Sequence, residues 1–308
     1  MLIIWLLVFC LSIALLVKSA DWFVESAEKI GLALKISPFI IGVTIVAIGT
    51  SFPEAASSLV AAFKGVTEVV AANVIGSNIF NILAIVGISA VIARTLIVKR
   101  SLIDLDAPLL TAATVLIIFI AWDKQIVFGE GILLICAFLV FLLYTIFQRR
   151  KNEPEKKYSK LNFKVFFILV LGLIGLIVGA NYTIDSLVKI SDILKISPAL
   201  VSIIALAAGT SLPELVVSMR AAMQKKYEIA LGNIFGSNVF NILFVTGLPA
   251  LIKTLTVDDL TFSIGLPFLA AATLLFVISG ISRRIHIWEG AMYLLIYTLF
   301  IAKLCGIF

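Results

Sequence analysis

Apolar residues in this chain occur in long, nearly unbroken runs separated by short polar connectors. A helix needs about 20 mainly apolar residues to cross a bilayer. Ten runs fit: residues 2–20, 37–63, 69–93, 104–122, 131–148, 165–184, 197–222, 229–252, 261–280 and 288–305. The pattern predicts an all-α membrane protein with ten transmembrane helices, the first run being a retained helix and not a signal peptide.

Composition supports lipid as the solvent for these runs. Of 308 residues, 62% are hydrophobic and 14% are charged, whereas soluble domains average about 45–50% apolar and about 25% charged. The net charge of +6 comes from Lys and Arg between the runs, so it does not indicate nucleic-acid binding. Cys10, Cys136 and Cys305 each lie inside an apolar run, which predicts buried packing and neither a disulfide framework nor a zinc site.

The distribution of basic residues predicts the orientation in the membrane. Connectors after the first, third, fifth, seventh and ninth runs, with their flanks, hold 18 of the 24 Lys and Arg residues. Basic connectors stay on the cytoplasmic side. We therefore expect a multi-pass protein of the cell membrane with both termini outside and the polar linker 149–163 in the cytoplasm.

Two blocks of sequence recur at an offset of 160 residues. KISPFIIGVTIVAIGTSFPE at 35–54 matches KISPALVSIIALAAGTSLPE at 195–214 in ten of twenty positions, and NVIGSNIFNIL at 73–83 matches NIFGSNVFNIL at 233–243 in eight of eleven. Each copy holds five predicted spans, an odd number, so the two copies cross the membrane in opposite directions. The expected units are therefore two inverted five-helix repeats, 1–148 and 164–308.

The same blocks place one acid deep inside each repeat. Glu54 lies in the second run and Glu214 in the seventh. A charge at the bilayer centre costs at least about 2.5–3.5 kcal/mol, and no Lys, Arg or His lies in the apolar core of any run. Two buried carboxylates without protein cations predict bound cations or protons.

Proline and hydroxyl residues precede both acids. Pro53 and Pro213 should break their helices and free backbone carbonyls. Broken backbone persists in a membrane only when it is buried in protein or lines a cavity. Together with the hydroxyls of Thr50, Ser51, Thr210 and Ser211, these carbonyls are hard oxygen ligands suited to sodium and calcium.

The second block adds amide and hydroxyl groups. Asn81 follows Ser77 by four residues, as Asn241 follows Ser237, so each pair shares one helical face. The predicted site is a cage of carboxylates, amide oxygens, hydroxyls and carbonyls, formed by broken helices. It contains no soft ligand.

The motifs GTSFPE with GSNIFN, and GTSLPE with GSNVFN, resemble those of the sodium/calcium exchanger branch of the cation/calcium antiporters, and the resemblance covers nearly the whole chain. It implies four broken central helices around the ions, and first and sixth spans that slide across this core. It also implies the ion ligands: Ala47 and Ala207 through their carbonyls, with Thr50, Ser51, Glu54, Ser77, Asn81, Thr210, Ser211, Glu214, Ser237 and Asn241.

The resemblance further implies the activity. We expect alternating-access antiport of sodium against calcium, electrogenic at about three sodium ions per calcium ion, with no cofactor and no obligate protein partner. Potassium-dependent relatives carry Asp where this chain has Asn241, which favours potassium independence.

Three alternatives remain open at this point. They are proton/calcium exchange, potassium-dependent exchange, and a passive cation channel lined by the same oxygens. The proton-coupled branch typically shows Gly-Asn-Ala-Glu where this chain has Gly-Thr-Ser-x-Pro-Glu. The predicted spans contain no Ser-His, Cys-His or metal-histidine set, so we do not expect an enzyme.

Overall fold

The computed structural model describes residues 2–34, 36–97, 106–148, 162–194 and 209–307. The helices before the linker are α1 (Leu2–Ala33), α2 (Pro38–Thr50), α3 (Phe52–Lys64), α4 (Glu68–Ala93), α5 (Asp106–Ile120) and α6 (Phe128–Gln148). After it come α7 (Phe163–Ile193), α8 (Leu212–Met223), α9 (Tyr227–Ala250), α10 (Thr261–Ile281) and α11 (Ile287–Leu304). Short strands lie in the connectors: β1 (Thr95–Ile97), β2 (Gln125–Ile126), β3 (Leu255–Thr256) and β4 (Arg284–His286). The predicted all-α membrane architecture is confirmed.

The predicted ten spans are accounted for to different degrees. Among the described residues, seven helices are long and apolar enough to cross a membrane, and α2 with α3 forms an eighth span bent by 43°. α5 occupies the place of the fourth predicted span but is short, and α8 is the described part of the seventh. Residues 197–208 of that seventh span, and nearly all of the linker at 149–163, lie outside the described ranges.

The connectors separate into two faces of the helix bundle. On one face β2 pairs with β3, and the Thr67 hydroxyl lies 3.0 Å from that of Thr256; we call this the Thr67 face. On the other, β1 pairs with β4, and Lys226 forms an ion pair with Glu28; we call this the Lys226 face. At the 160-residue offset β1 corresponds to β3, and β2 to β4. Equivalent connectors therefore lie on opposite faces, as inverted repeats require.

Burial divides the helices into a core and a periphery. In the most apolar stretch of α4, 78% of residues are buried inside the protein, and in that of α9 the share is 94%. The corresponding shares for α1 and α7 are 17% and 22%. Lipid therefore replaces protein around the outer helices, and Cys10 and Cys136 lie exposed on two of them. The prediction of buried packing was wrong for these two cysteines, because a helix surrounded by lipid need not turn a thiol inward.

α1 and α7 pack against each other and extend beyond the apolar runs that predicted them. They contain 32 and 31 residues, or about 45–50 Å of helix, so they must tilt in a hydrocarbon layer of about 30 Å. A Cβ at Gly172 of α7 would lie 2.9 Å from the backbone nitrogen of Phe23, so the two backbones are in close contact. The Thr183 hydroxyl donates to that of Ser12 at 2.8 Å, which adds a polar link.

Candidate functional site

The site forms where two helices are interrupted at the same position of their repeats. α2 ends at Thr50 and α3 begins at Phe52, with Pro53 in the first turn of α3; Ser51, at the break, has φ −83° and ψ 7°. In the second repeat Ser211 has φ −92° and ψ 10° before α8, which carries Pro213 in its first turn. The predicted proline-linked break is confirmed in the first repeat, and the described half of the second has the same local geometry.

Glu54 and Glu214 lie in the first turns of α3 and α8, with 1% and 0% of their surface exposed. Each carboxylate accepts a hydrogen bond from the other repeat. Ser51 donates to Glu214 Oε1 at 2.8 Å, and Ser211 donates to Glu54 Oε1 at 3.2 Å. Both acids also sit at helix N-termini, where the backbone dipole stabilises negative charge. The two repeats thus meet across the break points.

The threonines before these serines make a second pair of links between repeats. Thr50 donates to Asn233 Oδ1 at 3.1 Å, and Thr210 donates to Asn73 Oδ1 at 3.2 Å. Asn73 and Asn233 open the repeated block at 73–83 and 233–243, yet they are not among the site residues that the sequence predicts. Both asparagines recur at the 160-residue offset, and this recurrence is the feature of the sequence that could have indicated a role in the site.

The remaining amide and hydroxyl residues lie in the core helices α4 and α9. Ser77 is 3% exposed, and Asn81, Ser237 and Asn241 are 0% exposed. A segment of π-helix begins at Phe80 in α4 and at Asn241 in α9. Such segments widen the helix by one residue per turn and are frequent at functional sites.

Several of these buried oxygens have no hydrogen-bond partner among the described residues. They are Glu54 Oε2, Glu214 Oε2, Asn81 Oδ1, Ser237 Oγ and Asn241 Oδ1. Buried polar atoms are nearly always paired, and leaving one unpaired costs about 1–3 kcal/mol. Five such oxygens among the predicted ligands therefore indicate a region built to hold something that accepts their lone pairs.

The structure describes one of the two alanines that are predicted to contribute carbonyls. The Ala47 carbonyl is buried and accepts from the Ser51 backbone nitrogen at 3.0 Å. The Thr50 hydroxyl lies 3.3 Å from the same oxygen. Ala207 lies outside the described residues.

A cavity of about 550 Å³ reaches one side of the site. It runs between α3, α4 and α7, and its lining includes Ser58, Asn73, Asn181, Gly209 and Thr210. Its lining also includes Ser57 of α3 and Val69 of α4, which lie on the halves of these helices that lead to the connector containing Thr67. The site is thus approached from the Thr67 face.

On the Lys226 face, ion pairs join α1 to the end of α8 and to the connector that follows it. The Asp21 carboxylate accepts from Arg220 Nε at 2.9 Å, from Arg220 Nη2 at 2.8 Å and from Gln224 Nε2 at 2.8 Å. The Glu28 carboxylate lies 2.8 Å from Lys226 Nζ. These contacts hold α1 against the second repeat on the Lys226 face.

Donor chemistry limits what this site can bind. Its groups are carboxylate, amide, hydroxyl and carbonyl oxygens, which suit hard cations. In the described ranges no group of three or more His, Cys, Asp or Glu residues could hold a metal ion, and neither buried carboxylate takes part in an ion pair. Inverted repeats, broken helices and a buried acidic oxygen site define a membrane transporter of the inverted-repeat class.

Comparison with known proteins identifies the family. The family described as "Sodium/calcium exchanger protein" matches residues 4–147 and 164–305, so the chain belongs to the sodium/calcium exchanger family. It is 33% identical over 307 residues to a membrane protein of Methanocaldococcus jannaschii, covering 99% of each chain. It is 30% identical to the sodium/calcium exchanger MaX1 of Methanosarcina acetivorans, covering 97% of each.

Solved structures give the same result. A structure of the sodium-calcium exchanger NCX_Mj, soaked without sodium and calcium, superposes with a TM-score of 0.82 at 32% identity. The match covers 99% of this chain and 100% of that one. Human sodium/potassium/calcium exchanger 4 is 32% identical over 131 residues, which is 42% of this chain and 21% of that protein.

Proposed function

We propose that this protein is a secondary antiporter that exchanges sodium for calcium. The observation that carries the proposal is a set of buried oxygens that have no hydrogen-bond partner among the described residues; they belong to Glu54, Glu214, Asn81, Ser237 and Asn241. A cation among them would accept their lone pairs and balance the two carboxylates. Exchanger relatives across nearly the full chain support sodium and calcium as the cations.

The ligand set we propose adds the groups whose hydrogen bonds already link the two repeats. Ser51 and Ser211 donate to the carboxylates of the opposite repeat, so their oxygens lie beside the charged groups. Thr50, Thr210 and Ser77 contribute further hydroxyls, and Ala47 and Ala207 contribute carbonyls. The first and second repeats, 1–148 and 164–308, then each supply half of one shared site.

Transport by this site requires that its access alternates between faces. Two inverted repeats can exchange conformations, so the approach now available from the Thr67 face would close while its equivalent opens on the Lys226 face. The α1–α7 pair is the proposed moving part. α7 borders the cavity and α1 carries the ion pairs on the opposite side, so a shift of this pair would change both approaches.

We assign the Lys226 face to the cytoplasm of the cell membrane. It carries the basic connectors that contain Arg94, Lys225, Lys226, Arg283 and Arg284, and basic connectors are retained on the cytoplasmic side. The linker 149–163 would then be cytoplasmic and both termini extracytoplasmic.

The charge of the site supports electrogenic exchange. Two carboxylates balance one calcium ion, whereas about three sodium ions, the number expected of the family, would leave one positive charge. Asn241 supplies an amide where an acid would add a third negative charge, so potassium is not required.

Calcium-45 uptake into proteoliposomes tests the proposal. Vesicles loaded with sodium should accumulate calcium when diluted into sodium-free medium, whereas vesicles loaded with potassium or with a proton gradient should not. Glu54→Gln is the matched negative control, since it removes a charge without changing the side-chain volume. Calcium uptake that is independent of internal sodium would contradict antiport and indicate a channel.

A further inference from the structure

We infer that Asn233 and Asn73 are positioning residues, each of which orients the threonine hydroxyl of the opposite repeat toward the transported cation. This inference rests on one part of the proposed function, namely that a cation occupies the site. Neither asparagine belongs to the proposed ligand set.

The surroundings of Asn233 fix the direction of its amide. The side chain is fully buried, and its Nδ2 donates to Ser218 Oγ at 2.8 Å. Because Ser218 holds the nitrogen, the amide oxygen is turned toward Thr50 and lies 3.1 Å from its hydroxyl. A buried amide with both ends engaged has a defined orientation.

This orientation decides where the single proton of the Thr50 hydroxyl points. Three acceptors surround it: Asn233 Oδ1 at 3.1 Å, the Ala47 carbonyl at 3.3 Å and the Glu214 carboxylate, with which the Thr50 side chain also interacts. If the proton points to Asn233, the Ala47 carbonyl keeps a lone pair and both lone pairs of the Thr50 oxygen are free for a cation. Without the Asn233 oxygen, the proton would turn to the Ala47 carbonyl or to the Glu214 carboxylate, and in either case it would occupy an oxygen of the site.

The same bond recurs in the other half of the protein in different surroundings. Asn73 accepts from Thr210 at 3.2 Å and lines the cavity. Ser58 is the counterpart of Ser218, but its hydroxyl is unpartnered among the described residues. Both repeats therefore contain the threonine–asparagine hydrogen bond, but only Asn233 is also held by a serine. This difference favours a role of the bond in the site over a role in local packing.

A double-mutant cycle distinguishes positioning from packing. Asn233→Leu should raise the calcium concentration needed for half-saturation by about three- to tenfold, the effect of one hydrogen bond, with a smaller change in maximum rate. In a Thr50→Val background, Asn233→Leu should have no further effect on half-saturation, because it acts only through that hydroxyl. The measurements are calcium-45 equilibrium binding to purified protein and sodium-dependent exchange in vesicles.

Asn238→Leu is the matched control. Asn238 is also fully buried in α9, but its Nδ2 donates to the Ile234 carbonyl at 2.6 Å. Asn238→Leu should therefore change calcium binding by the same factor with and without Thr50→Val. If Asn233→Leu does not fold, Asn73→Leu with Thr210→Val gives the same cycle at the cavity edge, where truncation is less disruptive.

The outcomes separate this inference from the proposed function. If the protein still exchanges calcium for sodium, but Asn233→Leu weakens binding by the same factor with and without Thr50→Val, the positioning role is wrong and the proposed function stands. A wild-type protein that binds calcium without exchanging it for sodium would overturn antiport, and the binding cycle would still decide the role of Asn233. A wild-type protein that binds neither cation would overturn both.

Discussion

Replacing Asp21 by asparagine should shift the protein toward the conformation that opens on the Lys226 face. Asp21 accepts three hydrogen bonds from Arg220 and Gln224. At the 160-residue offset its counterpart is Asn181, and those of Arg220 and Gln224 are Val60 and Lys64. No hydrogen bond or ion pair joins these counterparts among the described residues. Asp21→Asn therefore gives the Lys226 face the neutral residue that the Thr67 face already has.

The size of the shift follows from the geometry of the pair. The side chains of Arg220 and Asp21 are 24% and 20% exposed, so solvent screens the bidentate contact only in part. Hydrogen bonds to charged groups contribute about 1.5–3 kcal/mol when buried, and exposed pairs contribute about 0–1 kcal/mol. An amide at position 21 keeps one acceptor, so we expect a loss of about 1–2 kcal/mol. If the contact exists in only one conformation, the equilibrium shifts about five- to thirtyfold.

A cysteine at Val217 reports this shift. Val217 is fully buried and is the counterpart of Ser57, which lines the cavity on the Thr67 face. Its labelling by a small thiol reagent should therefore measure the fraction of protein open on the Lys226 face. The reporter is placed in a background lacking Cys10, Cys136 and Cys305. Asp21→Asn should raise the labelling rate of Val217→Cys about five- to thirtyfold, while Ser57→Cys should label readily with or without it.

Lys124→Gln supplies the control for loss of an ion pair. Lys124 pairs with Asp259 at 2.6 Å on the Thr67 face, between connectors that belong to neither α1 nor α7. Its removal should leave the labelling of Val217→Cys unchanged. A labelling rate that stays within about twofold of the background after Asp21→Asn would refute the assignment, because even 1 kcal/mol corresponds to about fivefold.

Three further predictions concern the site and its support. Glu54→Gln and Glu214→Gln should each abolish sodium-driven calcium uptake with the protein still folded, since each removes half of the site's charge; near wild-type uptake by either would contradict the assignment. Asn241→Asp should move charge from the sodium-loaded to the calcium-loaded step, measured as solid-supported-membrane currents after separate ion jumps; exchange without current would favour two sodium ions per calcium. Gly236→Ala should lower the melting temperature in detergent, because its Cβ would overlap the Val43 carbonyl and overpacking costs about 1–3 kcal/mol; Gly129→Ala, with nothing described within 4 Å of its Cβ, should not.

Sequence alone could predict the parts of this fold that follow from periodicity and solvent. The start of α4 at Glu68 and the end of α10 at Ile281 each lie within one residue of the predicted run. The helix break follows from Pro53, since a missing backbone donor has a local effect. The full lengths of α1 and α7 could not be predicted in this way. Their polar ends are stabilised by contacts with other helices, such as that of Glu28 with Lys226.

The site shows the same division between local and tertiary information. Glu54 and Glu214 stand out because an acid in an apolar run needs a special explanation. Asn73 and Asn233 do not, because a polar residue near a span end has several ordinary uses. Their role depends on which residue of the other repeat lies opposite, and only the structure places Thr210 and Thr50 there.

The two repeats are alike where the proposed chemistry occurs and different where access is controlled, and there is a physical reason for this division. A cation must find the same ligands from either face, so Thr50, Ser51 and Glu54 recur as Thr210, Ser211 and Glu214. Two identical inverted repeats would have equal energies in their two conformations. A preference must therefore come from residues that break the symmetry, and Asp21 with Arg220 on one face against Asn181 with Val60 on the other is such a difference. Introducing Asn181→Asp with Val60→Arg should restore the balance by adding an equivalent ion pair that forms when the Thr67 face closes. The labelling of Ser57→Cys should then fall, and unchanged labelling would mean that the asymmetry lies elsewhere.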